Sequence, residues 1–161
     1  MIIGEEDFVA RYGGVYEHSD WVAKKAFEME LAEPDSLQEV MRGIIENAGH
    51  EAQLTLLCAH PDLAGKLAKS GALTNESTSE QASAGLDQCT AEEFEAFTTL
   101  NEVYKSRFGF PYILAVRGRH RTEILANFRS RVDNTPETEF REALDQVHQI
   151  AALRLKALIS E

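Results

Sequence analysis

Apolar positions fall on helical spacing along most of the chain. Phe140, Leu144, Val147, Ala151, Leu155 and Leu158 form one continuous stripe, which predicts a C-terminal helix about six turns long at α-helical pitch. Thr135 and Pro136 supply its start, an N-cap followed by a first-turn proline. Upstream, Phe94, Phe97, Leu100, Tyr104 and Phe108 repeat the pattern; Thr90 and Glu93 stand at capping-box spacing before them, and Gly109 and Pro111 stop the run. A short helix over Gly4 to Arg11 is expected to bury Phe8 and Val9. Ser19 reads as the N-cap of a helix carrying Trp21, Val22, Ala26 and Phe27. After a break at Pro34, Ser36 and Glu39 have capping-box spacing before Leu37, Val40, Met41, Ile44 and Ile45. His50 to Ala59 follows as a helix with Leu54, Leu57 and Cys58 inward, and Thr122 to Val132 is also helical. FPYILAV is strand-like in composition, but a lone strand has nothing to pair with, so it reads as extended or irregular chain. The expected fold class is all-α: a single-domain multi-helix bundle spanning residues 1–161.

Length and composition narrow the class. A chain of 161 residues suits one domain and buries roughly two-thirds of its unfolded surface without needing a staple. Cys58 and Cys89 lack metal-ligand spacing and are too few for a disulfide framework, which points to a reducing compartment, the cytoplasm. The opening MIIGEEDFVARYGG has no basic start and no long apolar run, so no signal peptide is expected. No stretch approaches the ~20 apolar residues of a membrane span. With 27 acidic against 16 basic residues the formal charge is −11, which argues against a nucleic-acid partner but not against a small anionic ligand held by local Arg or Lys.

Three segments carry more chemistry than packing requires. In AHPDLAGK, Pro61 pushes His60 toward extended backbone just past a helix end. The imidazole there either satisfies nearby carbonyls or faces a cleft, where its proton is exchangeable near neutral pH. In ESTSEQASAGL, Ser77 or Ser79 reads as a helix cap, with Glu80 and Gln81 in the first turn. That start either is simply capped or presents unpaired N–H groups to an anionic ligand. RFGFPYILAV is either a hydrophobic plug or an irregular wall whose backbone groups bind a planar, amide-rich ligand.

Other chemistries are not supported. His50-Glu51-Ala52-Gln53-Leu54 begins like HExxH but has Leu in place of the second His. No Gly-rich phosphate loop is present. His18, His120 and His148 are scattered and read as surface or helix-packing residues, and Cys58 reads as core. The ends of the C-terminal stripe and the N-terminal aromatics are either core or a dimer surface.

AHPDLAGK, LTNESTSEQASAGLD and LNEVYKSRFGFPYILAVRG, in this order, resemble the OHCU decarboxylases. These enzymes act on 2-oxo-4-hydroxy-4-carboxy-5-ureidoimidazoline in urate degradation. The likeness extends to FVARYGGVYEHSDWVAKKA near the start and QIAALRLKAL near the end. It implies an all-α, homodimeric enzyme with no metal or organic cofactor. It implies release of CO₂ to give (S)-allantoin, after urate oxidase and hydroxyisourate hydrolase have acted. His60 matches the family's catalytic proton donor, with Glu80 beside it in the chemistry. Pro61, Ser77, Thr78, Ser79, Glu80, Gln81, Tyr112, Ile113, Leu114, Ala115 and Val116 match substrate-binding positions, as does Arg154 of the last helix. Tyr112 is a departure, because the family often has Phe there. The competing expectation is a non-catalytic helical module that binds a purine-like or ureide ligand in the same cleft.

Overall fold

The computed structural model describes residues 4–29, 37–65 and 73–159, and every regular element among them is helical. In chain order these are α1 (Glu5–Tyr12), α2 (Trp21–Glu28), α3 (Leu37–Glu46), α4 (His50–Ala59), α5 (Asn75–Ser83), a 3-10 turn (Leu86–Gln88), α6 (Ala91–Phe108), α7 (Arg121–Arg131) and α8 (Pro136–Ile159). The all-α expectation holds. Among the described residues no helix is long and apolar enough to cross a membrane. The chain divides into two compact units, Met1–Ala59 with Val147–Glu161, and His60–Gln146.

In the first unit α1 packs on α2, α2 on α3 and α3 on α4. Val22, Ala26, Met41, Ile45, Leu56 and Leu57 are fully buried. The polar side chains buried here among the described residues stand in bonded sets, as the cost of desolvating them requires. The Tyr16 hydroxyl meets His148 Nδ1 at 2.8 Å, and His148 Nε2 lies 3.1 Å from Glu46 Oε2. Arg154 donates to the Gly14 carbonyl at 3.0 Å and to Glu17 Oε1 at 3.3 Å.

Several expectations change in this unit. Asp20, not Ser19, occupies the N-cap of α2, and Ser19 is buried with its hydroxyl donating to the Glu17 carbonyl. Leu56 takes the inward place expected of Cys58, which is exposed. A ten-residue helix that buries a pair of adjacent leucines turns the following residue outward, and the spacing alone did not say which face would win. Pro34 and Ser36 lie outside the described residues.

The second unit is built on aromatic packing. Tyr112 stacks on Phe128 with ring centroids 3.8 Å apart, and Tyr104 meets both edge-on at 5.7 and 5.8 Å. The capping box at the head of α6 forms as expected: Thr90 Oγ1 accepts from the Glu93 N–H at 3.1 Å, and Glu93 Oε1 from the Thr90 N–H at 2.9 Å. Gly109, at φ +81°, closes α6 in a left-handed conformation that suits glycine. Residues 110–116 are irregular and all buried. The Ile113 carbonyl accepts from Arg131 at 2.6 Å. The Ala115 N–H donates to Gln146 Oε1 at 2.9 Å, and its carbonyl accepts from Arg119 Nε at 3.2 Å. Side chains replace the sheet partners that this strand-like segment lacks.

A buried ion pair holds that replacement in place. Arg131 forks onto Glu139 through Nε and Nη2, at 3.0 and 2.9 Å to Oε2, and both residues are almost wholly buried. Tyr104 donates its hydroxyl to the same carboxylate, and Asn134 Nδ2 donates at 2.8 Å. The guanidinium also sits 4.6 Å from the Tyr112 ring centroid.

Candidate functional site

His60 follows α4 directly and is the first residue of the second unit. It is 8% exposed. The chain after it, Pro61 to Gly65, carries no regular structure, so its shape depends on side chains from elsewhere. Three supply it. Gln81 of α5 spans the loop: Oε1 accepts from the Ala64 N–H at 2.9 Å and Nε2 donates to the Asp62 carbonyl at 3.3 Å. Asn101 of α6 donates Nδ2 to the Leu63 carbonyl at 3.1 Å. Lys105, one turn further along α6, pairs with the Asp62 carboxylate at 2.7 Å.

The loop so held is strained. Ala64 stands at φ +52°, a left-handed conformation that costs an L-residue roughly 1–2 kcal/mol. It is also 3% exposed, so the kink is packed in. Gly65 is needed beside it, because a Cβ there would stand 2.8 Å from the Asp62 Cβ.

Helix α5 begins one turn earlier than expected. Thr74 is the N-cap, its Oγ1 accepting the Ser77 N–H at 3.1 Å, so neither Ser77 nor Ser79 caps the helix. Glu80 and Gln81 therefore lie in the second turn, and the anticipated display of first-turn N–H groups around them is absent. Threonine caps helices nearly as well as serine, and four hydroxyl residues in the six positions from Thr74 to Ser79 leave the choice open to sequence. Ser77 and Gln81, one turn apart, are buried at 4% and 5% exposure. Thr78 and Ser79 are exposed, the Thr78 hydroxyl donating to the Thr74 carbonyl at 2.9 Å, and Glu80 is half-buried.

A cavity of about 540 Å³ opens beside this loop. Ala64, Gly65, Thr78, Gln81, Cys89 and Phe94 are among its lining residues; His60, Pro61 and residues 112–116 are not. Burial, then the charge of Glu93, pushes the Cys89 thiol above its usual range, which makes it a poor nucleophile at neutral pH.

Tyr112 to Val116 are all buried, as a substrate wall or a plug requires. Less of their backbone is available than irregular chain suggested, since Arg131, Gln146 and Arg119 already occupy the Ile113 carbonyl and both polar groups of Ala115. The Tyr112 hydroxyl, the departure from Phe, donates to Asn127 Oδ1. Arg154 belongs to the first unit and is engaged there by Gly14 and Glu17. Lys66 of the HPDLAGK run lies outside the described residues.

Helix α6 anchors two of the predicted segments. Asn101 and Lys105 hold the loop after His60, and Tyr104 between them packs against Tyr112. Neither Asn101 nor Lys105 was singled out from sequence. Asn101, not Leu100, takes the buried place between Phe97 and Tyr104. A buried polar residue on an apolar face was the available signal.

A family sequence model described as OHCU decarboxylase matches residues 3–156. The 2-oxo-4-hydroxy-4-carboxy-5-ureidoimidazoline decarboxylase of Haloferax volcanii is 44% identical over 154 residues, covering 95% of this chain and 89% of that protein. A uric acid degradation bifunctional protein of Bacillus subtilis is 38% identical over 150 residues, which are 92% of this chain and 30% of that one. The crystal structure of an (S)-allantoin synthase superposes with a TM-score of 0.75 at 34% identity, covering 97% of this chain and 51% of the other.

Proposed function

The chain belongs to the OHCU decarboxylase family and is a carboxy-lyase that forms allantoin in urate degradation, and from that premise we propose that it works without a cofactor, with His60 delivering the proton that sets the (S) configuration. The substrate carries a carboxylate and a hydroxyl on one ring carbon, and the neighbouring carbon is part of a C=N bond. As CO₂ leaves, the electron pair of the broken C–C bond moves toward that imine, so the substrate supplies its own electron sink. The protein's tasks are to hold the ring, to avoid over-stabilising the carboxylate and to protonate one face.

His60 is the general acid in this reading, a role that contributes typically about 10²–10⁴-fold. The single observation that carries it is the loop after His60. Three side chains from two helices fix this irregular backbone, as an imidazole that must meet one face of a ring requires. Glu80 bonds the substrate hydroxyl or orients His60. Ser77 and Gln81 read the ureido and ring amides, with Pro61, Thr78 and Ser79 bounding the same side. The Gln81 amide has two donors and two acceptor sites, so its two loop bonds leave one of each for a substrate. Tyr112, Ile113, Leu114, Ala115 and Val116 form the opposite wall, and Arg154 is carried as a substrate-binding residue on its match to the family's last helix alone.

The proposal extends to residues 1–161 acting as one domain, to a cytoplasmic homodimer, and to functional coupling with urate oxidase and hydroxyisourate hydrolase. The family model running through both units supports the first of these. The Bacillus subtilis relative, a longer bifunctional uric acid degradation protein, supports the coupling.

The test is circular dichroism of allantoin formed from urate by urate oxidase and hydroxyisourate hydrolase, with this protein added in EDTA. Rapid appearance of the (S) enantiomer is expected. Racemic product at the spontaneous rate would leave a ureide-binding module in place of this proposal.

A further inference from the structure

We infer that Asn101 and Lys105 are positioning residues for His60, a latch on α6 that keeps the loop Pro61 to Gly65 in its strained shape and so holds the imidazole in its reactive orientation. This inference rests on reading His60 as the proton donor.

The argument starts from the backbone. Three consecutive residues, Asp62, Leu63 and Ala64, are each tied by a side chain from another element. Gln81 holds the two ends of this run, and Asn101 holds its middle from a different helix. With Ala64 at φ +52°, the loop gains by relaxing wherever one of these ties is cut. A relaxed loop moves Pro61 and, through it, His60. Lys105 adds a charged tie on the outer side of the same kink.

Asn101 also costs the fold something that only the loop explains. Its amide orientation is forced, because the Leu63 carbonyl can only accept, so Nδ2 must face it. Oδ1 is then buried with no hydrogen-bond partner among the described residues. A buried acceptor left in that state is destabilising, and a leucine of similar size would pack between Phe97 and Tyr104 without the penalty. Local fitness is given up at this position, as expected where a residue serves a site.

Asn101→Asp keeps the shape and replaces the donor by an acceptor facing the Leu63 carbonyl. Lys105→Met, on a partly exposed side chain, removes the other tie with little effect on folding. Three readouts are compared with the parent: kcat and KM for allantoin formation, the thermal midpoint, and the imidazole ¹⁵N signals in NMR. The His60 signals are assigned by their loss in His60→Asn. We expect kcat to fall about 10²-fold in Asn101→Asp, the order a misplacement near 1 Å produces, and about threefold or more in Lys105→Met, with KM within about twofold. The His60 signals should shift or broaden in both variants while those of His148 stay.

A folded Asn101→Asp with parental kcat and an unchanged His60 spectrum overturns the inference. If that variant does not fold, Lys105→Met decides alone: a moved His60 spectrum with lowered kcat supports the latch, and parental values in both overturn it. Full stereoselective turnover by His60→Asn would instead remove the reading on which the inference rests, and that outcome is read from a separate variant.

Discussion

Gln81 Oε1 accepts the N–H of Ala64 at 2.9 Å, and Ala64 is one of two non-glycine residues among those described with positive φ. A side chain on one helix thus holds a backbone conformation that the loop's own residues disfavour. Gln81→Leu keeps the bulk but strands the Ala64 N–H and the Asp62 carbonyl. We expect a loss of about 1–3 kcal/mol in urea unfolding, with a larger proportional fall in kcat than in KM affinity. Parental stability and turnover together would show that the clamp does nothing.

At Ala64 itself, glycine and valine should part ways. Glycine adopts the left-handed region freely but gains freedom in the unfolded chain, so Ala64→Gly should stay within about 1 kcal/mol of the parent. Valine is stiff at its first side-chain torsion and resists positive φ, so Ala64→Val should lose about 2 kcal/mol or more. Equal thermal midpoints for the two variants would contradict the kink at this position.

His60→Asn should lose stereoselective turnover while its far-ultraviolet dichroism stays helical. Glu80→Gln should lower kcat more than it raises KM. (S)-selective product from the first variant, or parental kcat in the second, removes that residue from the chemistry.

Glu139 gathers Arg131, Tyr104 and Asn134 on one carboxylate that is 0% exposed. Glu139→Ala leaves a buried guanidinium without its counter-charge, and a loss of about 3–5 kcal/mol is expected. The segment 110–116 should loosen with it, since Arg131 also carries the Ile113 carbonyl. Amide hydrogen exchange confined to the global unfolding rate at residues 112–116 of that variant would count against the link.

Alkaline pH should unfold the protein. Burial pushes the hydroxyls of Tyr16, Tyr104 and Tyr112 well above the ordinary tyrosine value of 10.0; for Tyr104 the bond to Glu139 adds to it. Each native site therefore holds its proton more tightly than the unfolded chain does. The stabilisation is complete below about pH 10 and is lost as pH rises beyond it. Loss of helical dichroism should accompany the last rise in tyrosinate absorbance. Ionisation of all four tyrosines near pH 10 in a folded protein would contradict these environments.

Much of the fold was legible because helices are local. The stripe from Phe140 to Leu158, the Thr90–Glu93 capping box and the Thr135–Pro136 start depend on residues within a few positions of one another, and all formed as read. FPYILAV is irregular as expected, and among the described residues no strand is present for it to pair with. Errors came where two local choices were nearly equal. Thr74 against Ser77 as a cap, Asp20 against Ser19, and the outward turn of Cys58 are differences of one turn or less on a helix surface.

What sequence alone determined is which residue types stand where: a histidine before a proline, a glutamine four positions past a serine, an aromatic run broken by Gly and Pro. Only the tertiary structure decided that Gln81 spans the loop after His60 across 17 and 19 positions, that Asn101 reaches Leu63 across 38, and that Arg131 and Glu139 carry the wall at 113. Hydrogen bonds between such distant positions leave no period in a sequence. They exist because buried N–H and C=O groups of irregular chain must find partners, and the packing of α5, α6 and α7 determines which side chains are within reach.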